Sequence, residues 1–187
     1  MDEAHSIGTL GKTGRGLSEY FGTDAREIDL IMGTLSKSFG SCGGFFGCNG
    51  KFDALLRYFA PGYLLYSTGI SPANTAAALA SLEVLEKEPN RVKKLQENAN
   101  LFCQKAKRAG LNIGDAMGVV PIVPVIVGDD LKALKISEAL SEVGILAHPI
   151  LYPAVERGSA RIRFFISYDH NESDIEKVVS VLARELN

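Results

Sequence analysis

A short apolar run, IDLIMG at residues 28 to 33, passes without an intervening turn into TLSKSFGSCGG at 34 to 44. The run has the length and composition of a buried strand. The segment after it carries hydroxyls at Thr34, Ser36 and Ser38, an amine at Lys37, and glycines at 40, 43 and 44. Strand ends hold side chains rigidly, and glycines let a ligand approach the backbone closely. The junction therefore predicts a site at the end of an inner strand, and the rest of the chain has to supply layers that cover it.

Elements on either side fit that requirement. Residues 6 to 22 hold five glycines and no apolar period, which reads as a loop. Phe45 to Cys48 reads as a second strand, Lys51 to Arg57 as a short helix, and 63 to 72 as an extended segment closed by Pro72. The Ala- and Leu-rich stretch from Asn74 to Glu86 predicts a helix buried on most sides. From Asn90 to Ala109, Val92, Leu95, Ala99, Phe102 and Ala106 make one apolar stripe with lysines elsewhere, which is an amphipathic helix. Strands at 121 to 127, 145 to 148 and 161 to 167 then alternate with helices at 131 to 143 and 171 to 185. This order predicts an α/β fold. A boundary near residue 88 separates a lysine-bearing part, 1–88, from a smaller C-terminal α/β domain, 89–187.

Composition removes several function classes. With 20 basic and 22 acidic residues the net charge is -2, so no global field favours nucleic acid or an anionic membrane. No apolar run reaches the length needed to span a bilayer. The three cysteines, Cys42, Cys48 and Cys103, lack the spacings of metal or redox motifs, which fits a reducing cytoplasm and no metal. The acidic motif that starts at Asp2 opens almost at the first residue, where a structural lead-in is usual, so Met1 reads as a truncation point.

Asp2-Glu3-Ala4-His5 followed by Gly11-Lys12-Thr13 invites a nucleotide-hydrolase reading, but the spacing defeats it. A phosphate loop needs a glycine five residues before the Gly-Lys pair, and Ser6 stands there; it should also precede the acidic box. Lys37 is the stronger feature. Its neighbours Ile31, Met32, Leu35 and Phe39 predict burial, and an amine stripped of water is pushed toward its neutral, nucleophilic form. On residues alone, a solvated turn lysine explains it about as well.

The segment TLSKSFGSCG resembles the lysine-attachment signature of class II pyridoxal-phosphate aminotransferases. DEAHSIGTLGKTGRG at 2 to 16 resembles the segment that precedes it in the α-oxoamine synthases, the branch of serine palmitoyltransferase, aminooxononanoate synthase and aminoketobutyrate ligase. The likeness runs on through YLLYSTGISP to RIRFFISYDHNESDI at 161 to 175 and so covers nearly the whole chain. It implies a fold type I pyridoxal-phosphate transferase, represented by part of the large domain plus the small C-terminal domain.

The resemblance also implies roles. Lys37 would hold pyridoxal 5'-phosphate as a Schiff base and move protons at the substrate Cα. Asp2 would keep the pyridine nitrogen protonated, and His5 would meet the phenolic oxygen; a core histidine satisfied by backbone is the plain alternative for His5. Thr34 and Ser36 would bond the phosphate. Ser67 and Thr68 would reach the phosphate of a neighbouring subunit, which implies a homodimer with shared sites. Arg163 would grip the amino acid's carboxylate. Alternation alone puts Arg161 and Arg163 on one face of their strand without choosing between them, and solvated arginines on an edge strand are as good a reading of the pattern. His148, His170 and Cys42 are read as structural.

The implied reaction condenses an amino acid with an acyl thioester, on coenzyme A or an acyl carrier protein, and loses carboxylate to give an aminoketone. The stretches KSFGSCGGFFGC and APGYLLYSTGISPANTAAALASLEVL resemble the branch of polyketide-type or sphingolipid-like synthesis more than the biotin or threonine-degradation branch. A simple aminotransferase and a silent assembly domain are the alternatives. The residue that stacks on the cofactor is not identified within this chain.

Overall fold

A computed structural model describes residues 1–60 and 68–186. The chain divides into two compact units, Met1–Lys93 and Lys94–Asn187, each taken by itself.

In the first unit, strand β1 (Leu30–Thr34) pairs antiparallel with β2 (Gly44–Cys48), in register from Leu30 opposite Cys48 to Thr34 opposite Gly44. The opening residues run alongside β1 in the parallel sense: the Glu3 N–H donates to the Met32 carbonyl (2.7 Å) and the Met32 N–H to that of Met1 (2.9 Å). The glycine-rich segment folds back on itself through a bridge between Ile7 and Arg15. It is not all loop, because Leu17–Phe21 forms a helix, α1. That helix is too short for periodicity to reveal it. Its start is marked instead by the Glu3 carboxylate, which accepts the Leu17 N–H (3.0 Å) and the Ser6 hydroxyl and is only 2% exposed. An anion at a helix N-terminus satisfies donors that have no partner within the helix.

Helix α2 spans Gly50–Phe59, with Asn49 as its cap, and helix α3 spans Pro72–Lys87, with Ser71 as its cap. The expected burial of α3 is not found. None of its residues is buried, and Leu79 and Leu82 are 56% and 40% exposed. A string of Ala and Leu reports propensity, and propensity is silent about what lies alongside. Among the described residues the first unit buries few apolar side chains, chiefly Leu10, Phe39 and Val92.

The second unit has a continuous core. Helix α4 (Asn90–Arg108) enters from the first unit and lays down Ala99, Phe102, Cys103 and Ala106, all 2% exposed or less. Strand β3 (Ile122–Gly128), strand β4 (His148–Ile150) and strand β5 (Ala160–Phe165) form an antiparallel sheet in the order β3-β5-β4. Helix α5 (Asp130–Glu142) and helix α6 (Glu172–Leu186) complete the unit. Val123, Val125, Ile162 and Phe164 point into the core with Ile136, Leu140 and Leu182. Each such side chain gains about 1.5–3 kcal/mol over exposure. The expected stripe on α4 is met except at Leu95, which is half-buried. Strand β5 is central, which removes the edge-strand reading of Arg161 and Arg163.

Candidate active site

Lys37 sits on a turn just past β1, and that turn is tied down from several directions. Within it, the Gly40 N–H donates to the Lys37 carbonyl (3.0 Å), the Ser41 N–H to that of Leu35 (2.8 Å) and the Leu35 N–H to that of Gly43 (2.9 Å). From outside, the Ser38 hydroxyl donates to the Ile7 carbonyl (2.8 Å), the Ser41 hydroxyl to that of Asn74 (2.6 Å), and the Ser81 hydroxyl to that of Phe39 (2.8 Å). The glycine segment and helix α3 thus hold the turn between them. Contact with the glycine segment is close enough to demand glycine: a Cβ on Gly8, whose φ is +78°, would lie 2.6 Å from the Ser38 Cβ.

This arrangement brings Lys37 and His5 together. Lys37 Nζ lies 3.0 Å from His5 Nε2, across 32 residues of sequence. Because an ammonium can only donate, the imidazole nitrogen accepts whenever the lysine is charged. The Thr9 hydroxyl donates to the His5 carbonyl (2.9 Å) and anchors the turn that carries the ring. Asp2 belongs to the short segment beside β1, and its Oδ1 accepts the Ala4 N–H (2.8 Å), which fixes the carboxyl's orientation. Thr34 and Ser36 are paired through their hydroxyl oxygens at 2.7 Å, and Thr34 also donates to the Gly43 carbonyl (3.2 Å).

Two expectations need correction or restriction. Lys37 is exposed, as are His5 and Asp2. Met32 is 42% exposed and Leu35 half-buried, so of the neighbours expected to bury the amine only Phe39 is itself buried. A hollow of about 690 Å³ in this unit is lined by Glu3, Thr13, Arg15, Glu19, Ile31 and Phe45 and by none of the candidate residues. Ser67 lies outside the described residues; Thr68 is exposed.

Arg163 lies on β5 in the second unit. Its guanidinium rests 5.0 Å from the Phe165 ring centroid. Arg161 instead donates through Nε to the Ser159 carbonyl (3.0 Å) and is partly buried. Of the two arginines that the alternation left equivalent, Arg163 is the one presented outward. His170 is structural, as expected: Nδ1 accepts the Ser167 N–H (3.1 Å) and its carbonyl accepts the Asn98 amide (2.7 Å). Cys103 is buried, and burial pushes its thiol up against a weaker opposing pull from Lys107.

Two structural carboxylates escaped the sequence reading. One is Glu3. The other is Glu19, whose carboxylate accepts the Thr13 N–H and hydroxyl and the Arg15 N–H. Burial raises its pKa, but those hydrogen bonds, with the Arg15 charge, outweigh burial and leave it below 4.5. Their spacing from the loop donors, 14 and 6 residues, has no signature in sequence. No group of His, Cys, Asp or Glu that could hold a metal occurs among the described residues.

Comparison with known proteins places the chain in a family. A model of the family described as aminotransferase class I and II matches residues 1–182. The 8-amino-7-oxononanoate synthase of Symbiobacterium thermophilum is 38% identical over 98% of this chain and 46% of its own length. That of Petrotoga mobilis is 41% identical over 96% and 45%. Among solved structures, serine palmitoyltransferase from S. paucimobilis with a bound pyridoxal-phosphate–myriocin aldimine superposes with a TM-score of 0.89 at 30% identity, covering 98% of this chain and 46% of the other. The chain therefore spans about half the length of the relatives it matches. These proteins are α-oxoamine synthases, the branch the motifs pointed to, and their fold is the type I transferase fold. The similar curated sequences are oxononanoate synthases, and serine palmitoyltransferase is among the similar solved structures. Matched along 182 of its 187 residues, the chain belongs to the class I and II aminotransferase family.

Proposed function

We infer that this chain contributes the lysine-bearing part of a pyridoxal-phosphate site, in an enzyme that joins the Cα of an amino acid to the acyl carbon of a thioester, releasing the free thiol and losing the carboxylate as carbon dioxide. The observation that carries the reading is the 3.0 Å approach of Lys37 Nζ to His5 Nε2 on a turn pinned by three serine hydroxyls. A structural lysine has no need of that restraint. The first unit is read as part of the large cofactor-bearing domain and the second as the small C-terminal domain.

The residues present fit the cofactor by their chemistry. Among the described residues of one unit stand a primary amine, an imidazole, a carboxylate and a hydroxyl pair, all beside the end of β1 or the segment that runs along it. When bound, pyridoxal phosphate supplies an electron sink that makes the substrate Cα–H acidic. Lys37 would hold the cofactor through its amine, and that amine would take and return the proton at the substrate Cα. His5, against Lys37, accepts a hydrogen bond from the ammonium and can donate from its other ring nitrogen. Asp2 keeps a proton on the pyridine nitrogen by ion pairing. Thr34 and Ser36 donate to phosphate oxygens, giving up the bond they make to each other. Arg163 offers the planar fork that a carboxylate takes in two parallel hydrogen bonds. The acyl donor is a thioester of coenzyme A or of an acyl carrier protein, and the working form is a cytoplasmic homodimer in which Ser67 and Thr68 reach the neighbour's phosphate. No helix among the described residues is long and apolar enough to cross a membrane.

The test is direct. Incubation with pyridoxal phosphate, reduction with borohydride and peptide mass mapping should place a pyridoxyl group on Lys37, and Lys37→Ala should lose it. Labelling spread evenly over surface lysines, unchanged in Lys37→Ala, would overturn the reading. With an amino acid and an acyl thioester, carbon dioxide release distinguishes condensation from transamination, which yields pyridoxamine phosphate instead.

A further inference from the structure

We propose that His148 is a second donor to the carboxylate that Arg163 binds, so that the anion site on the second unit is a two-residue, cross-strand device. This rests on the reading of Arg163 as the carboxylate grip. In the antiparallel pair of β4 and β5, His148 stands directly opposite Arg163. Directly opposed residues share a face, with Cβ atoms about 4.5–5.5 Å apart. That face is the outward one: Ile162 and Phe164, on either side of Arg163, are 0% and 6% exposed, whereas His148 and Arg163 are both exposed.

Among the described residues neither His148 nor Arg163 is in an ion pair. Arg157, Arg161 and Arg163 form no ion pair among the described residues; Arg157 lies over the Tyr152 ring at 4.4 Å and Arg163 over Phe165. Cross-strand neighbours that can both carry positive charge cost stability when nothing lies between them. Either tautomer of the imidazole presents an N–H, as does the imidazolium. With the guanidinium fork stacked on Phe165 and an N–H from the next strand, the two groups can converge on one small planar anion. Position 148 thereby bears on which carboxylate-bearing substrate is accepted.

The experiment uses the whole chain, with acetate as the probe and chloride at equal ionic strength as the control, and reads the Arg163 Nε–H and Phe165 amide resonances. The expected result is a saturable response to acetate and none to chloride. Arg163→Gln should weaken it by roughly 10-fold or more, and His148→Phe by about 3- to 10-fold. His148→Gln, which keeps a donor, should recover most of the loss. Spectra of β3 and β5 show whether each variant stays folded. An acetate response at Arg163 that is the same in His148→Phe, or that chloride reproduces, overturns the proposal. Capture of the cofactor by Lys37 is measured separately, so failure there leaves the anion pair standing, and failure here leaves the cofactor reading standing.

Discussion

Lys37 is held in place by residues that do no chemistry. Gly8 makes the close approach to Ser38, and Glu3 closes the loop by capping α1. Substituting Gly8 with Ala forces a Cβ into left-handed backbone at about 1–2 kcal/mol before any clash, and the clash with Ser38 adds to it. The expected outcome is a lower urea midpoint for the first unit together with slower pyridoxyl labelling of Lys37. Glu3→Ala leaves the Leu17 N–H and the Ser6 hydroxyl without their acceptor, at about 1.5–3 kcal/mol for hydrogen bonds to a charged group, again read by denaturant unfolding. At this scale the sequence was informative about chemistry and uninformative about support. Lys37, His5 and Arg163 stood out because the motifs that carry them resemble those of a known family; residue type and surroundings alone left a solvated lysine, a core histidine and either arginine as open readings. Glu3 and Glu19 did not, because a buried carboxylate that serves backbone N–H groups leaves no spacing to read. His148 reads as structural in the sequence because its place opposite Arg163 follows only from the register of β4, which begins at His148, where the apolar run predicts a strand that ends there.

Among the elements, the loop from Thr13 to Arg15 answers to pH through Glu19. Its carboxylate titrates below its ordinary value in the fold, so it binds protons more readily when the loop is open. The stability it gives is fully present well above the ordinary glutamate range and is lost as pH falls through that range toward the lower folded value. Protection of the Thr13 and Arg15 amides, measured against their intrinsic exchange rates at each pH, should therefore fall as pH drops through that range, and Glu19→Gln should show low protection at every pH. In the second unit, Ile162→Ala on the central strand removes a side chain with no exposed surface and should cost about 2–5 kcal/mol in calorimetry or denaturant unfolding. The strands and helices of this unit were readable because each has one face on a shared core, and periodicity records that face. Helix α3 was readable as a helix and misread as buried, since alanine and leucine give a strong propensity whether or not another layer covers them.

The two units differ in how much they hold themselves together. The second has a core of some twenty buried apolar side chains, and the first has few. Hydrogen exchange on the whole chain should therefore find the slowest amides in β3, β5, α4 and α6, with those of the first unit exchanging through smaller openings. Equal protection in both units would contradict this ordering. The division of labour has a bearing on how the reactive lysine is positioned. Ile7, Asn74 and Ser81 meet its turn from stretches well separated along the chain. A peptide cut out as TLSKSFG, or the same seven residues grafted into another protein's loop, would bring the amine without its aim. The motif names the place where chemistry happens, but its orientation is a property of the surrounding scaffold, so mutations thirty to forty residues away can misdirect it while the signature stays intact.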